Sequence, residues 1–143
     1  MCIAIVKPAG RVLTEAVLRT CFENNPDGCG FAAIVDGELR YFHSLNFDDF
    51  LGAYRESGVD QLISLIHFRI TTRGTGGIEN CHPFPLAEAA LIHNGTLDNL
   101  GEKGKGKSDT NELSRLLFDE DMATLKRLEL VEKKLFPVAR SVI

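Results

Sequence analysis

The sequence of 143 residues contains no tryptophan, only two tyrosines and no long apolar run. A helix that spans a membrane needs about 20 apolar residues, whereas the apolar stretch at the N-terminus ends at Val6. That stretch also lacks the basic start of a signal peptide. A basic excess, which is typical of nucleic-acid-binding domains, is absent because the formal net charge is −4. These absences predict a cytoplasmic protein that binds neither membranes nor nucleic acid.

A disulfide framework is not indicated either, because the four cysteines form no Cys-x-x-Cys pair. In the cytoplasm we expect Cys2, Cys21, Cys29 and Cys81 to be reduced thiols. Hydrophobic residues make up 44% of the chain and charged residues 25%, a composition close to that of ordinary globular domains. Length and composition together predict one domain over residues 1–143 with an apolar core.

The order of the predicted secondary-structure elements is mixed. Strands are predicted over 2–7, which is rich in isoleucine and valine, over 31–35 and 38–43, and over 62–68 and 89–92, of which the last two are expected to be buried. Helical spacing of apolar residues predicts helices over 14–24, 47–56, 109–118 and 122–135. The pair Asp36-Gly37 predicts a tight hairpin between two of the strands. Because strands and helices do not alternate regularly, the sequence favours an α+β fold over a doubly wound parallel sheet.

Cys2 is a candidate nucleophile. An initiator methionine is usually removed before a residue as small as cysteine, and its removal would give Cys2 a free α-amine beside its thiol. An α-amine titrates at about pH 8 and a thiol at about pH 8.5, so the amine can accept the thiol proton. The structural alternative is that Cys2 is a small apolar residue at the start of a buried strand.

Asn94 and Gly95 are candidates for an oxyanion hole. They follow the apolar run that ends at Ile92. A side-chain amide and a neighbouring backbone N–H can both face one developing oxyanion. The structural alternative is an ordinary turn, since Asn-Gly is a favoured turn pair.

Arg69 and Asp109 could together recognise a free amino acid. Arg69 lies at the end of a predicted apolar strand, and guanidinium groups bind carboxylates through paired hydrogen bonds. Asp109 begins a predicted helix, where its carboxylate could bind an ammonium group. The structural alternative is that Ser108 or Asp109 is an ordinary helix N-cap.

Five segments, in this order, resemble the motifs of the class II glutamine amidotransferases, which hydrolyse amides with an N-terminal nucleophile. The segments are MC at the start, HFRITTRG, CHPF, HNGTLDN and SDTNE. The usual pattern is an initial cysteine, HxRxAT, HPF or HPH, HNG, and SDT or SDS. This chain departs from it at Thr71, where the pattern has alanine. The resemblance extends from Cys2 to about Leu117.

The resemblance implies a role for each matching residue. Cys2 would be the nucleophile with its α-amine as the base, and Asn94 and Gly95 would form the oxyanion hole. Arg69 would hold the carboxylate of glutamine and Asp109 its ammonium group. Further residues would line the pocket or form a loop beside the nucleophile: Thr72 and His82 in the pocket, and Asp27, Gly28 and Gly30 in the loop.

The implied fold is a sandwich of two mainly antiparallel sheets between helices. Such domains continue after the SDT helix with several strands, whereas only about 25 residues follow Phe118 here. We therefore expect either a trimmed domain or a fragment that lacks C-terminal strands.

The implied reaction is hydrolysis of glutamine to glutamate and ammonia through a γ-glutamyl thioester, without a metal or cofactor. A partner enzyme or synthase subunit would supply an acceptor for the ammonia, unless the protein is a glutaminase alone. The resemblance leaves the oligomeric state open. It is also compatible with a non-catalytic module of the same fold that only binds glutamine or a partner.

Two other interpretations concern nucleotides and zinc. Residues 101–108 match the phosphate-binding pattern GxxxxGKS, but the predicted strand ends about nine residues too early for the usual strand–loop–helix unit. Four residues have side chains that could bind zinc, namely His67, Cys81, His82 and His93. Their spacing matches no structural zinc pattern.

Overall fold

The computed structural model describes residues 1–72, 74–86, 89–97, 100 and 106–117. This part of the chain has an α+β fold with two antiparallel sheets and three α-helices. The strands are β1 (Ile3–Lys7), β2 (Cys29–Val35), β3 (Glu38–Ser44), β4 (Ser64–Phe68), β5 (Phe84–Leu86) and β6 (Ala89–Leu91). The helices are α1 (Glu15–Asn24), α2 (Phe47–Glu56) and α3 (Asp109–Leu117), with 3₁₀ turns at Val59–Gln61 and Ile78–Asn80. The α+β prediction is confirmed.

Strands β1 to β4 form one sheet in the order β1-β4-β2-β3, and every neighbouring pair is antiparallel. The hairpin between β2 and β3 turns at Asp36 and Gly37, whose φ angles of 52° and 82° are those that a two-residue turn requires. The predicted hairpin is therefore confirmed.

One face of this sheet packs against α1 and α2 and forms the core. Fully buried side chains from both layers meet there, including Phe50 of α2 and Ile66 and Phe68 of β4. Both helices begin at a polar N-cap. Thr14 accepts a hydrogen bond from the Val17 N–H, and the Asn46 side chain accepts from the two N–H groups that follow Phe47.

Residues 81–84 and the β5–β6 hairpin lie over the other face of the sheet. The His82 ring packs against that of His67 of β4, with 4.1 Å between the ring centroids and the ring planes tilted by 41°. Strand β5, which has three residues and contains Pro85, was not predicted from the sequence. Strand β6 was predicted as buried, and that prediction was wrong, because Ala89 is exposed and the other two residues are half-buried.

The C-terminal predictions concern residues that the structure does not describe. The helix predicted over 122–135 and the expected loss of C-terminal strands both lie outside the described residues. Among the helices that the structure does describe, none is long and apolar enough to cross a membrane.

Candidate active site

The register of the first sheet makes Cys2 and Arg69 neighbours. β1 pairs with β4 so that Ile3 lies opposite Phe68. The residue before β1 and the residue after β4 therefore leave the sheet at the same edge. The Cys2 thiol lies 3.5 Å from the carbonyl oxygen of Ile70, within its hydrogen-bonding reach. Two residues that are far apart in sequence are thus placed side by side by strand pairing.

A cleft opens at this edge, and six of the ten predicted site residues line it. They are Cys2, Arg69, Thr72, His82, Gly95 and Asp109. The other lining residues are Ile70, His93, Ser108 and Thr110. Asn94 is exposed and does not line the cleft in this structure. Sequence reasoning did not assign a site role to Thr110, although it belongs to the SDT motif.

Asp27 and Gly28 do not line the cleft but form hydrogen bonds with the backbone around Arg69. The Arg69 N–H donates to the Gly28 carbonyl oxygen at 2.7 Å, and the Asp27 N–H donates to the Arg69 carbonyl oxygen at 3.0 Å. The Asp27 carboxylate accepts a hydrogen bond of 2.7 Å from the Thr71 N–H. Arg69 is only 3% exposed. The loop predicted to lie beside the nucleophile therefore fixes the backbone that carries the buried guanidinium.

Gly28 and Gly30 allow the segment with Cys81 and His82 to approach the sheet. A Cβ at Gly28 would overlap the Cys81 sulfur, and a Cβ at Gly30 would overlap the His82 carbonyl oxygen. His43 of β3 binds the same segment, because its Nε2 atom is hydrogen-bonded to the Pro83 carbonyl oxygen at 2.8 Å. Both glycines are thus required by close packing behind the cleft.

The histidines under the cleft are held in their neutral form. Burial lowers the pKa of His67 to about 4. Burial, with smaller effects of His67 and Arg69, lowers the pKa of His82 to about 2. The His93 N–H donates to Nδ1 of His82 at 3.5 Å, so this ring acts as an acceptor. His67 and His82 therefore add no positive charge to that of Arg69 at neutral pH.

The loop over residues 93–97 is attached to the first turn of α3. His93 Nδ1 and Thr110 Oγ1 are hydrogen-bonded at 3.0 Å. The Asp109 carboxylate accepts from the Leu97 N–H at 2.6 Å with one oxygen and from the Thr110 N–H at 2.8 Å with the other. Gly95, between these attachments, has φ +156°, a value that L side chains rarely adopt.

The start of α3 is itself held by buried polar side chains. Ser108 caps the helix, because its hydroxyl oxygen accepts from the Asn111 N–H at 3.1 Å. Asn80, which is fully buried, accepts from the Ser108 N–H at 2.6 Å and donates to the Gly106 carbonyl oxygen at 2.9 Å. Sequence reasoning missed Asn80, because no local pattern marks a residue whose partners lie far along the chain.

The remaining cysteines do not resemble nucleophiles. Burial raises the pKa of Cys29 to about 12 and that of Cys81 to about 11, and it also raises the pKa of Cys21. All four cysteines are free thiols. A buried thiol that stays protonated at neutral pH is a poor nucleophile. The interpretation of Cys21 and Cys29 as structural thiols agrees with this environment.

The structure gives no support to the zinc and nucleotide interpretations. Among the described residues, no group of three or more His, Cys, Asp or Glu side chains could hold a metal ion. Most of the GxxxxGKS segment lies outside the described residues, and the hydroxyl of Ser108 is occupied by its capping hydrogen bond.

No protein-family model matches the chain, and no curated protein matches it either. The resemblance to class II glutamine amidotransferases therefore rests on the motif residues themselves.

Proposed function

We propose that the protein hydrolyses the side-chain amide of glutamine with Cys2 as the nucleophile. The observation that carries this proposal is the convergence of Cys2, Arg69, Gly95 and Asp109 on one cleft, although they come from four separate segments. A thiol, a guanidinium, a carboxylate and a backbone N–H are the groups that acyl transfer from a free amino acid needs.

Substrate recognition would use the two charged groups. Arg69 would bind the α-carboxylate of glutamine, since a buried guanidinium forms strong paired hydrogen bonds with carboxylates. The Asp109 carboxylate would bind the α-ammonium group. Thr72 and His82 would complete the pocket, with neutral His82 contributing shape and a hydrogen-bond acceptor instead of charge.

The chemical steps require Cys2 to be the first residue of the chain. Its α-amine takes the thiol proton, and the thiolate attacks the amide carbon. The Gly95 N–H and the Asn94 amide would stabilise the oxyanion of the tetrahedral intermediate. The intermediate collapses to a γ-glutamyl thioester, and the proton held by the amine leaves with the ammonia. Water then cleaves the thioester, which gives glutamate and restores the thiol.

The proposed architecture places the two observed sheets in a four-layer sandwich of the N-terminal-nucleophile hydrolase type. The exposed position of Asn94 means that its amide must turn towards the cleft when substrate binds. The ammonia would be released to water or passed to an acceptor on a partner enzyme. We propose that the reaction takes place in the cytoplasm.

The second candidate function is a glutamine-binding or interaction module without catalysis. The observation that favours it is the environment of the Asp109 carboxylate and of the Asn94 side chain. Both Asp109 oxygens accept hydrogen bonds from the protein, and Asn94 lies outside the cleft. Such a module would bind glutamine through Arg69 and release no ammonia.

Glutamate release from glutamine, measured on protein whose N-terminal residue is shown by mass spectrometry to be Cys2, tests the proposal. The wild type is expected to release glutamate and ammonia in equal amounts, and Cys2→Ala is expected to release neither. Cys21→Ala is the matched control, because it removes a half-buried thiol in α1 outside the cleft. Glutamine binding without release by the wild type would establish the second candidate instead.

A second experiment uses 6-diazo-5-oxo-norleucine, an electrophile that resembles glutamine. We expect covalent labelling at Cys2 and none at Cys21, Cys29 or Cys81. Labelling of another cysteine would contradict the assignment of the nucleophile.

A further inference from the structure

We propose that Thr110 is a positioning residue that fixes the oxyanion loop, defined here as residues 93–97, against α3. This inference rests on the proposed hydrolysis of glutamine. Thr110 itself need not touch the reacting atoms. Its hydroxyl acts through His93, whose ring is bonded to it at 3.0 Å.

Hydrogen bonds hold both ends of the oxyanion loop. His93 is joined to Thr110, and Leu97 is joined to Asp109, so two consecutive residues of α3 bind both ends. The His93 N–H also donates to Nδ1 of His82 at 3.5 Å, which is the longest of the three bonds. The residues between these ends, Asn94, Gly95 and Thr96, are exposed. Their position therefore depends mainly on the bonds at the two ends.

The helix turn that provides the attachments is rigidly held. Thr110 is 2% exposed, and Asn80 binds the backbone of the preceding Ser108. The Asn111 side chain donates to the Glu79 carbonyl oxygen, which joins α3 to the 3₁₀ turn at Ile78–Asn80. Because these other bonds hold α3, loss of the bond between Thr110 and His93 should move the oxyanion loop and leave α3 in place.

The two attachments differ in what else they do. Asp109 would also bind the ammonium group of glutamine, so its substitution would change substrate binding and loop position together. Thr110 lines the same cleft, and its hydroxyl is bonded to His93 at 3.0 Å and donates a long hydrogen bond of 3.4 Å to Asp109. Asp109 keeps its bonds to the Leu97 and Thr110 N–H groups when the hydroxyl is lost, so Thr110→Val changes mainly the bond to His93.

Displacement of the oxyanion loop is expected to slow the reaction without weakening substrate binding. Oxyanion donors must lie about 2.7–3.1 Å from the oxygen that becomes charged, and loss of one costs about 100- to 1000-fold in kcat. A donor that is displaced but still present costs less. We expect Thr110→Val, which keeps the shape of the side chain and loses the hydroxyl, to lower kcat about 10- to 100-fold with KM little changed.

Thr110→Ser restores the hydroxyl and is expected to recover most of kcat. Thr20→Val is the matched control, because Thr20 is an exposed residue of α1 whose hydroxyl donates to the Ala16 carbonyl oxygen of the same helix. It is expected to leave kcat unchanged. Equal losses in the valine and serine variants, or an unchanged kcat in Thr110→Val, would overturn the proposal.

Amide hydrogen exchange separates this inference from the proposed function. Thr110→Val is expected to accelerate exchange at the Leu97 amide, which donates to Asp109, and not within β2 or β4. This readout needs no turnover. If the wild type releases no glutamate, the proposed function fails, while unchanged exchange in Thr110→Val would overturn the positioning role.

Discussion

The side-chain amide of Asn25 donates a hydrogen bond of 2.8 Å to the carbonyl oxygen of Met1, 24 residues away in the sequence. That carbonyl belongs to the peptide bond whose nitrogen is the amine of Cys2. Asn25 is 4% exposed and its own N–H caps the end of α1, so the side chain is firmly placed. With Met1 present, the start of the chain is thus anchored at the peptide bond whose cleavage would free the α-amine of Cys2, the proposed nucleophile.

Retention of Met1 is expected to abolish glutamine hydrolysis. With Met1 in place, the nitrogen of Cys2 is an amide and cannot accept the thiol proton, and general base catalysis contributes about 100- to 10,000-fold. Two preparations test this, one beginning at Cys2 and one keeping Met1, each verified by intact mass. Equal glutamate release from both would show that the α-amine is not the base.

Arg69→Lys is expected to weaken glutamine binding although the charge is conserved. A lysine offers no planar pair of donors for the α-carboxylate. Hydrogen bonds to charged groups contribute about 1.5–3 kcal/mol, which corresponds to a fall of about 10- to 100-fold in kcat/KM, mainly through KM. Arg40→Lys is the control, since Arg40 is exposed on β3 and pairs with Glu38. An unchanged KM in Arg69→Lys would show that Arg69 does not bind the α-carboxylate of glutamine.

Gly30→Ala is expected to destabilise the fold, because the new methyl group would overlap the His82 carbonyl oxygen and press on His43. Overpacking of this kind costs about 1–3 kcal/mol in the free energy of unfolding. Gly52→Ala is the matched control. No atom lies within 4 Å of its Cβ position in α2, so alanine there should stabilise by about 0.5–1 kcal/mol. Denaturant unfolding of both variants measures the difference, and similar stabilities would contradict the packing argument.

The buried pair of His67 and His82 is expected to make the protein less stable in acid. The folded-state pKa values of about 4 and about 2 lie below the unfolded value of about 6.5, so the unfolded chain binds more protons below pH 6.5. The contribution of these two histidines to the free energy of unfolding should therefore be fully present above pH 6.5 and be lost as the pH falls. Between pH 7 and pH 5 the loss is about 2 kcal/mol for each histidine.

Denaturant unfolding at several pH values checks this expectation. His82→Asn removes one titrating ring, so its stability should change less steeply with pH between pH 6 and pH 5 than that of the wild type, with His67 and His43, whose pKa burial also lowers, still contributing. An unaltered slope would mean that His82 is not the group that takes up the proton.

The sequence predicts the first sheet and its helices well, because their signals are local. Asp36-Gly37 defines a turn, and Thr14 and Asn46 precede amphipathic helices. Strand β5 could not be predicted in this way. It has three residues, contains a proline and is defined by its pairing with β6.

The candidate site also has a part that the sequence predicts and a part that it does not. The motif residues identify Cys2, Arg69 and Asp109, because their chemistry can be recognised in the sequence. The hydrogen bonds that occupy Asp109, and the role of Asn80, depend on partners 12 to 28 residues away. Patterns over neighbouring residues carry no information about such partners, so only the folded chain shows them.

The pairing of β1 with β4 places Cys2, the proposed nucleophile, beside an edge strand of the sheet. β1 lies at the edge, and within the described residues it pairs with β4 alone. Ala4 and Val6 are exposed, whereas Ile3 and Ile5 pack against the core and the buried Lys7 ammonium donates to three carbonyl oxygens. Segments at the edge of a sheet open at lower free energy than the core does. Because Lys7 anchors the other end of β1, fraying on heating should begin at the end that carries Cys2, and the proposed activity should be lost before the helices and the central strands unfold.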